Sequence, residues 1–550
     1  MRLSVRSISK GEGIAVFALL LGFVVTLQIL GGAYASGFGG DADEAAHLVT
    51  SLMARDFIAG LDFRHPWQFA QQYYYHYPKV MIGIWPPAFY GALGIWFLIV
   101  GASRSAAIMF IAIVAATTAS VIYFTGKRMM GRWAGLLAAV LFIASPLVQE
   151  SSARVMTDHF MVLAMLVSTL CFARFVRTGQ IGGGLAFGGV AAVAILTHGR
   201  GWALGLVPAI TLALTNRWHL LRRLGLWLAP VPVLLACVPW YVFTITIPSG
   251  WTDDGVSFHT LTRYAWYIYS SLGFLVIIFA WIGIWKTIIW VKPRAAVEPE
   301  WAALAGVAIA SLILCCVAPV PIENRYMLPV LPSIVLFSAA GVDEIAHHFG
   351  VRLSIGVLRI GLALILIIAF CVESFALPVR LRNGGYEALA RDVMVRVSNV
   401  PQVWLVSSDS IGEGSLVVAA ALQETRPNSY VLRARTILGG GDMFWRNMQD
   451  RFDTPAKLAG LLDDIPVTII VIDDQIPSDF HRPYQDRLKL VASDAKKWEA
   501  IGSYPQTRNG TVLANSLHVY ARRPVASLSI APPAIRLERV RALMVRQELR

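Results

Sequence analysis

The chain has 550 residues, 56% of them hydrophobic and only 15% charged, with a mean hydropathy of +0.60. A water-soluble domain carries roughly 25% charged residues, so a polytopic membrane protein is expected and a soluble globular one excluded. The net charge of +13 does not point to nucleic acid, because the basic residues gather in short loops between apolar runs, as orientation signals do. Five cysteines, Cys171, Cys237, Cys315, Cys316 and Cys371, lie in or beside apolar runs and form neither a zinc pattern nor a disulfide framework.

Each crossing needs about 20 apolar residues. The first run, 13–35, follows Arg2, Arg6 and Lys10 and has no clear A-x-A site, so it reads as a retained helix with a cytoplasmic N-terminus. An outer loop, 36–104, comes next. Within it, Asp41, Asp43 and Glu44 open a stretch, 39–59, whose apolar residues Ala45, Leu48, Val49, Leu52, Met53 and Phe57 recur at helical spacing. Asp41 suits an N-cap, and Glu44, three positions on, makes a capping-box-like pair with it. Such a helix is predicted to lie along the bilayer surface, with Asp43 and His47 sharing a face. Capping accounts for Asp41 but does not require Asp43. An aromatic segment, 65–87, suits the membrane interface, and 86–102, opening on Pro86-Pro87, reads as re-entrant or interfacial.

Further crossings are predicted at 105–125, 133–149, 160–176, 183–197, 202–215, 224–247, 265–290, 301–320, 326–342 and 353–377. With the first, about 11 spans put Asp43, Asp158, His159, His198, Arg200 and Arg325 on one, non-cytoplasmic face. Nearly every basic cluster is then cytoplasmic, and Arg200 and Arg325 are exceptions to that bias. Beyond 377 the pattern changes. Strands are expected at 403–408, 429–434, 467–473 and 517–523, with helices near 412–423, 454–464 and 481–498, giving an extracytoplasmic α/β domain over 378–525. Residues 526–550 read as a basic tail. The chain carries no P-loop, dinucleotide fingerprint, nucleophile elbow or H-E-x-x-H.

Several short motifs occur in a telling order: Asp43-Glu44 in the first outer loop; Trp85, Pro86, Pro87 and Tyr90; Ala153, Arg154, Asp158 and His159; Thr197, His198 and Gly199; and Arg325, Tyr326, Leu328 and Pro329. This layout, over residues 10–380, resembles the polyprenyl-phosphate-sugar-dependent glycosyltransferases of the GT-C superfamily, especially the aminoarabinose-transferase-like and protein O-mannosyltransferase-like branch. His198 stands where that branch has Lys. The resemblance implies a transmembrane catalytic module over 1–377 in a bacterial inner membrane, with a polyprenyl-phosphate sugar as donor and a lipid, polysaccharide or protein of the cell envelope as acceptor. Asp43 is then the general base of an inverting displacement, with Glu44 and Asp158 as further catalytic carboxylates. Arg325, Arg200 and His198 would bind the leaving phosphate. His47, His159 and Tyr326 are candidates for the acceptor or for a divalent ion, with magnesium, manganese and zinc all open.

Structural alternatives stand beside these roles. Asp158 can form an ion pair with Arg154 or Arg325, and His159 and His198 can serve as helix-end packing residues. A secondary transporter or lipid flippase could use the same carboxylates as cation sites, although such proteins place them near the bilayer midplane and often within inverted repeats.

Overall fold

The computed structural model describes residues 10–61, 63–81, 83–245, 258–318, 322–350, 354–374, 383–397, 400–440 and 448–524. The adjacent acids at 253 and 254, expected in an outer loop, and the 526–550 tail lie outside them. Among the described residues, seven helical segments are long and apolar enough to cross a bilayer: Gly11–Leu30, Arg104–Met130, Asp158–Thr178, Leu224–Thr244, His259–Ile289, Pro299–Val317 and Asn324–Phe349. An eighth is counted if Arg132–Ala144 and Pro146–Ser152, bent by 58°, form one broken span. The bend falls at Pro146, whose ring and missing N–H interrupt the helical ladder. The other expected crossings fall on further helical pieces. Ile181–Ile195 is a short apolar helix, Ile355–Ser374 is an apolar helix of 20 residues, and 202–215 divides into a 3-10 turn, Gly199–Gly205, and a helix, Val207–Thr215. Against the expected count of about 11, seven or eight full-length spans are found by length and composition among the described residues.

Small residues let these helices approach closely. A Cβ at Gly283 would stand 1.9 Å from the Phe337 carbonyl, and one at Gly341 would stand 1.9 Å from that of Phe279. No side chain fits at that crossing.

The first loop supplies Ala42–Gly60, Pro66–His76 and Ala88–Val100. The first of these is the acidic helix, and it forms where the 3.6-residue pattern placed it. Its partners are Ala88–Val100 on one side and the helix Ser410–Ala421 of the α/β unit on another. Leu48 and Leu52 share one buried cluster with Leu416, Val417 and Val471, so a single apolar core joins the first loop to the α/β unit.

That unit holds β1 (Val403–Ser407), β2 (Tyr430–Arg433), β3 (Gly439–Gly440), β4 (Gln449–Asp450), β5 (Ile469–Asp473), β6 (Trp498–Arg508) and β7 (Thr511–Arg522). The five-stranded sheet runs β2-β1-β5-β7-β6. Its β2, β1 and β5 are parallel, with Leu405 opposite Leu432 and Ile470, while β7 pairs antiparallel to both β5 and β6. Buried on both faces, β1 and β5 are continuous apolar runs. Helices Tyr386–Arg396, Ser410–Ala421, Pro455–Asp464 and Pro483–Ala492 complete the unit. The helix expected at 481–498 ends at Ala492, and Trp498 opens β6 instead. Asn509 and Gly510, both at positive φ (48° and 81°), close the β6–β7 hairpin, an Asn-Gly turn of the kind that strand twist favours.

Candidate active site

The acidic helix begins at an extended Asp41, whose Oδ1 accepts a hydrogen bond from the Asp43 N–H at 2.9 Å. This satisfies one of the helix's orphan donors and leaves the Asp43 carboxylate free for other work. Successive helical residues turn by about 100°, so Asp43 and Glu44 face different ways. Glu44, fully buried, accepts from Arg104 Nη2 at 3.0 Å and from the Val155 N–H at 3.3 Å. It therefore ties the first loop to the span Arg104–Met130 and does not reach back to close a capping box.

Asp43 Oδ2 accepts from Arg325 Nη2 at 3.1 Å. Arg325 sits in the 3-10 turn Asn324–Val330, with Nε 2.5 Å from Glu323 Oε2 and Nη1 3.7 Å from Met156 Sδ. It opens on a cavity of about 290 Å³ that Asp41, Arg154, Met156, Asp158 and Glu323 also line. Asp158, the first residue of its span, is buried there and within electrostatic reach of Arg325. Arg154 pairs with Glu150 at 3.0 Å and not with Asp158. Residues 41 and 43 thus meet 158 and 325, far from them in sequence, at one place.

The histidines are engaged otherwise. His47 stacks on Trp85, with ring centroids 4.1 Å apart, and its Nδ1 lies 2.8 Å from the Tyr90 hydroxyl. The Trp-Pro-Pro element therefore wraps this ring. Burial, with Arg325 and Lys79 nearby, brings His47 down to about 3, so it is neutral at physiological pH. His159 turns to Ser151, with Nε2 2.9 Å from its Oγ. His198 caps the turn Gly199–Gly205, its Nδ1 accepting from the Arg200 N–H at 3.2 Å. Burial, then Arg200, pushes it down to about 3, so it supplies no positive charge.

Arg200 does. Its guanidinium carbon stands 3.2 Å over the Tyr326 ring centroid, and Nη1 donates to Cys315 Sγ at 3.0 Å. Its buried Nε and Nη2 make no hydrogen bond among the described residues. Arginine stays protonated in proteins, and this cation stands against a thiol, an aromatic face and the Tyr264 hydroxyl.

Sequence reasoning missed two residues. Glu323 is the carboxylate beside Arg325 in the same loop. Lys79 is buried within electrostatic reach of Asp43, Glu413, Arg433 and Arg435, and burial, then Arg433, lowers it to about 7. A lone lysine in an aromatic outer segment breaks the same charge bias that singled out Arg325, and that signal was available.

No ready set of ligands for a divalent ion gathers around the candidate His47 among the described residues. His47 is occupied by Trp85 and Tyr90, and among the described residues no three His, Cys, Asp or Glu side chains converge closely enough to hold a metal.

Residues 85–243 match the model of the dolichyl-phosphate-mannose-protein mannosyltransferase family. No curated protein matches the chain by sequence. Among solved structures, ArnT from Cupriavidus metallidurans bound to undecaprenyl phosphate aligns at 15% identity with a TM-score of 0.56, covering 96% of this chain and 100% of that one. The archaeal oligosaccharyltransferase AglB from Archaeoglobus fulgidus, in complex with an inhibitory peptide and a dolichol-phosphate, aligns at 13% identity and 0.54, covering 94% and 77%. The arabinofuranosyltransferase AftD from Mycobacteria aligns at 12% and 0.56, covering 94% and 40%. At these identities the likeness is one of fold.

Proposed function

From a chain whose fold is that of the GT-C membrane glycosyltransferases, we propose a transferase that moves a sugar from a polyprenyl phosphate to a cell-envelope acceptor. The observation that carries this reading is the meeting of Asp43 with Arg325 at 3.1 Å, beside a cavity that Asp158 also lines. The mannosyltransferase family pattern over 85–243 and two structural neighbours solved with polyprenyl phosphates support it.

In this mechanism an acceptor hydroxyl gives its proton to Asp43 as its oxygen attacks the anomeric carbon. The bond from that carbon to the phosphate oxygen breaks, and the electron pair leaves with the lipid phosphate. One displacement from the far side inverts the centre. The developing charge falls on Arg325, whose guanidinium can hold two phosphate oxygens, and on Arg200, whose unused N–H groups await an anion. Lys79 adds an ammonium on the Asp43 side. Asp158 orients the acceptor, and Glu44 braces the loop that carries Asp43. The neutral rings of His47 and His198 shape the site without charge.

The carboxylates stand at helix starts, where a head-group reaction needs them and a midplane transport site does not. Because the helix Ser410–Ala421 packs on the acidic helix, the α/β unit shares its face of the membrane. We place that face outside, in a bacterial inner membrane with the N-terminus cytoplasmic.

The test is transfer from radiolabelled polyprenyl-phosphate sugars to cell-envelope extract. Asp43→Asn is expected to lose about 10²–10⁴-fold in rate while folding normally. Transfer at the wild-type rate would remove Asp43 as base, and counterflow in protein-only liposomes would favour transport.

A further inference from the structure

Lys79 sits where two parts of the chain close on each other. The helix Ser410–Ala421 crosses the acidic helix so closely that a Cβ on Gly414 would stand 3.0 Å from Lys79 Cε and 3.3 Å from Ala45 Cβ. On one side of this glycine, Ser415 Oγ donates to the Phe38 carbonyl at 3.3 Å. The Phe38 N–H donates to Glu387 Oε1 at 2.9 Å, and the Gly37 N–H donates to the Asn383 carbonyl at 2.6 Å. The α/β unit therefore grips the segment that leads into Asp41.

On the other side stands Glu413, a fully buried carboxylate in an otherwise apolar helix. It accepts from Arg433 Nε and from the Arg435 N–H, at 3.1 and 2.9 Å. Arg433 Nη1 in turn donates to the Pro78 carbonyl at 3.4 Å. A chain of contacts thus runs from Glu413 through Arg433 to the residue before Lys79, while Gly414 packs on the lysine stem itself. Burying two charges is costly unless their geometry returns the energy. Here the pair lies where the α/β unit meets the first loop, against Pro78.

We propose that Glu413 and Arg433 are positioning residues of the transfer site, holding Lys79 beside Asp43 so that its ammonium meets the lipid phosphate. The α/β unit then completes the site as well as packing on it. This rests on the transferase reading above.

The charged and titratable groups facing Lys79 are Asp43 and His47 from the acidic helix, Glu413 from the crossing helix, and Arg433 and Arg435 at the end of β2 and just beyond it. Asp43 and Glu413 favour the ammonium, whereas burial and the two arginines oppose it. Removing the charge of Glu413 must therefore shift Lys79 toward the neutral amine.

The experiment uses full-length protein in nanodiscs and reads acylation of Lys79 by an amine-selective reagent across pH, by mass spectrometry. Glu413→Gln is expected to move the labelling midpoint to lower pH and Glu413→Asp to restore it. The same Glu413→Gln protein should raise the KM for the lipid donor about tenfold, with kcat within about twofold, as loss of one charge-assisted contact would. A folded Glu413→Gln protein with an unchanged midpoint and an unchanged donor KM overturns the proposal. Labelling needs no turnover, so it decides the positioning of Lys79 even where wild type transfers no sugar, an outcome that would instead defeat the transferase reading. If Glu413→Gln fails to fold, Gly414→Ala is read in its place. Its methyl presses on the lysine stem and should raise donor KM, and an unchanged KM counts against the proposal.

Discussion

Arg325 Nη2 lies 3.1 Å from Asp43 Oδ2 across 282 positions of sequence. The guanidinium is shared with Glu323 at 2.5 Å, so an incoming phosphate can exchange for Asp43 without leaving the cation unpaired. In the proposed transfer, that exchange would free the carboxylate to take a proton as the leaving group binds.

Arg325→Lys keeps the charge and loses the planar fork. Its kcat/KM is expected to fall about 10²–10³-fold, the scale of losing a preorganised group at a developing charge. Steady-state kinetics with the lipid donor checks this, and a change under threefold would place the phosphate elsewhere.

Glu44 and Asp43 are neighbours with opposite expectations. Breaking the buried Glu44–Arg104 pair leaves an uncompensated charge, at a cost of about 3–5 kcal/mol. Glu44→Gln should therefore lower the thermal midpoint in detergent far more than Asp43→Asn does. Equal midpoints would mean that Glu44 is not a brace.

Arg200→Met separates binding from stability. Among the described residues Arg200 has no carboxylate partner, so the cost of burying its charge is not repaid by an ion pair and the midpoint should hold or rise. Donor affinity, read by competition with undecaprenyl phosphate, should fall about tenfold, the loss of one charge-assisted hydrogen bond. An unchanged affinity would leave Arg200 a packing residue.

Lys79 sets a pH limb. Burial lowers it to about 7, so in the free protein it is charged below that pH and neutral above it. Affinity for an anionic lipid should fall as pH rises through about 7, and Lys79→Met should abolish that limb. His47 and His198, both near 3, contribute nothing between pH 5 and 9. Titrating donor binding in wild type and Lys79→Met decides the matter.

Much of this protein was written locally. Apolar runs of bilayer length announced spans such as Arg104–Met130, helical spacing announced the acidic helix and its cap at Asp41, and continuous apolar runs announced β1 and β5. These depend on periodicity and length, which neighbours along the chain carry. Motif order and membrane sidedness place Asp43 and Arg325 on one face of the membrane, which narrows a search without supplying their contact. Other features depended on the packed chain. Which of two adjacent carboxylates turned to Arg325 and which to Arg104 followed from helix rotation against its neighbours. The directions of His159 and His198 followed from a serine and a backbone N–H that no spacing rule selects. The surroundings of Lys79 came from residues 413, 433 and 435, more than 300 positions away. Hydropathy determines where a chain must be buried, whereas the partner a buried charge finds is decided only when distant segments close around it, because the cost of leaving it unpaired is assessed by the whole interior.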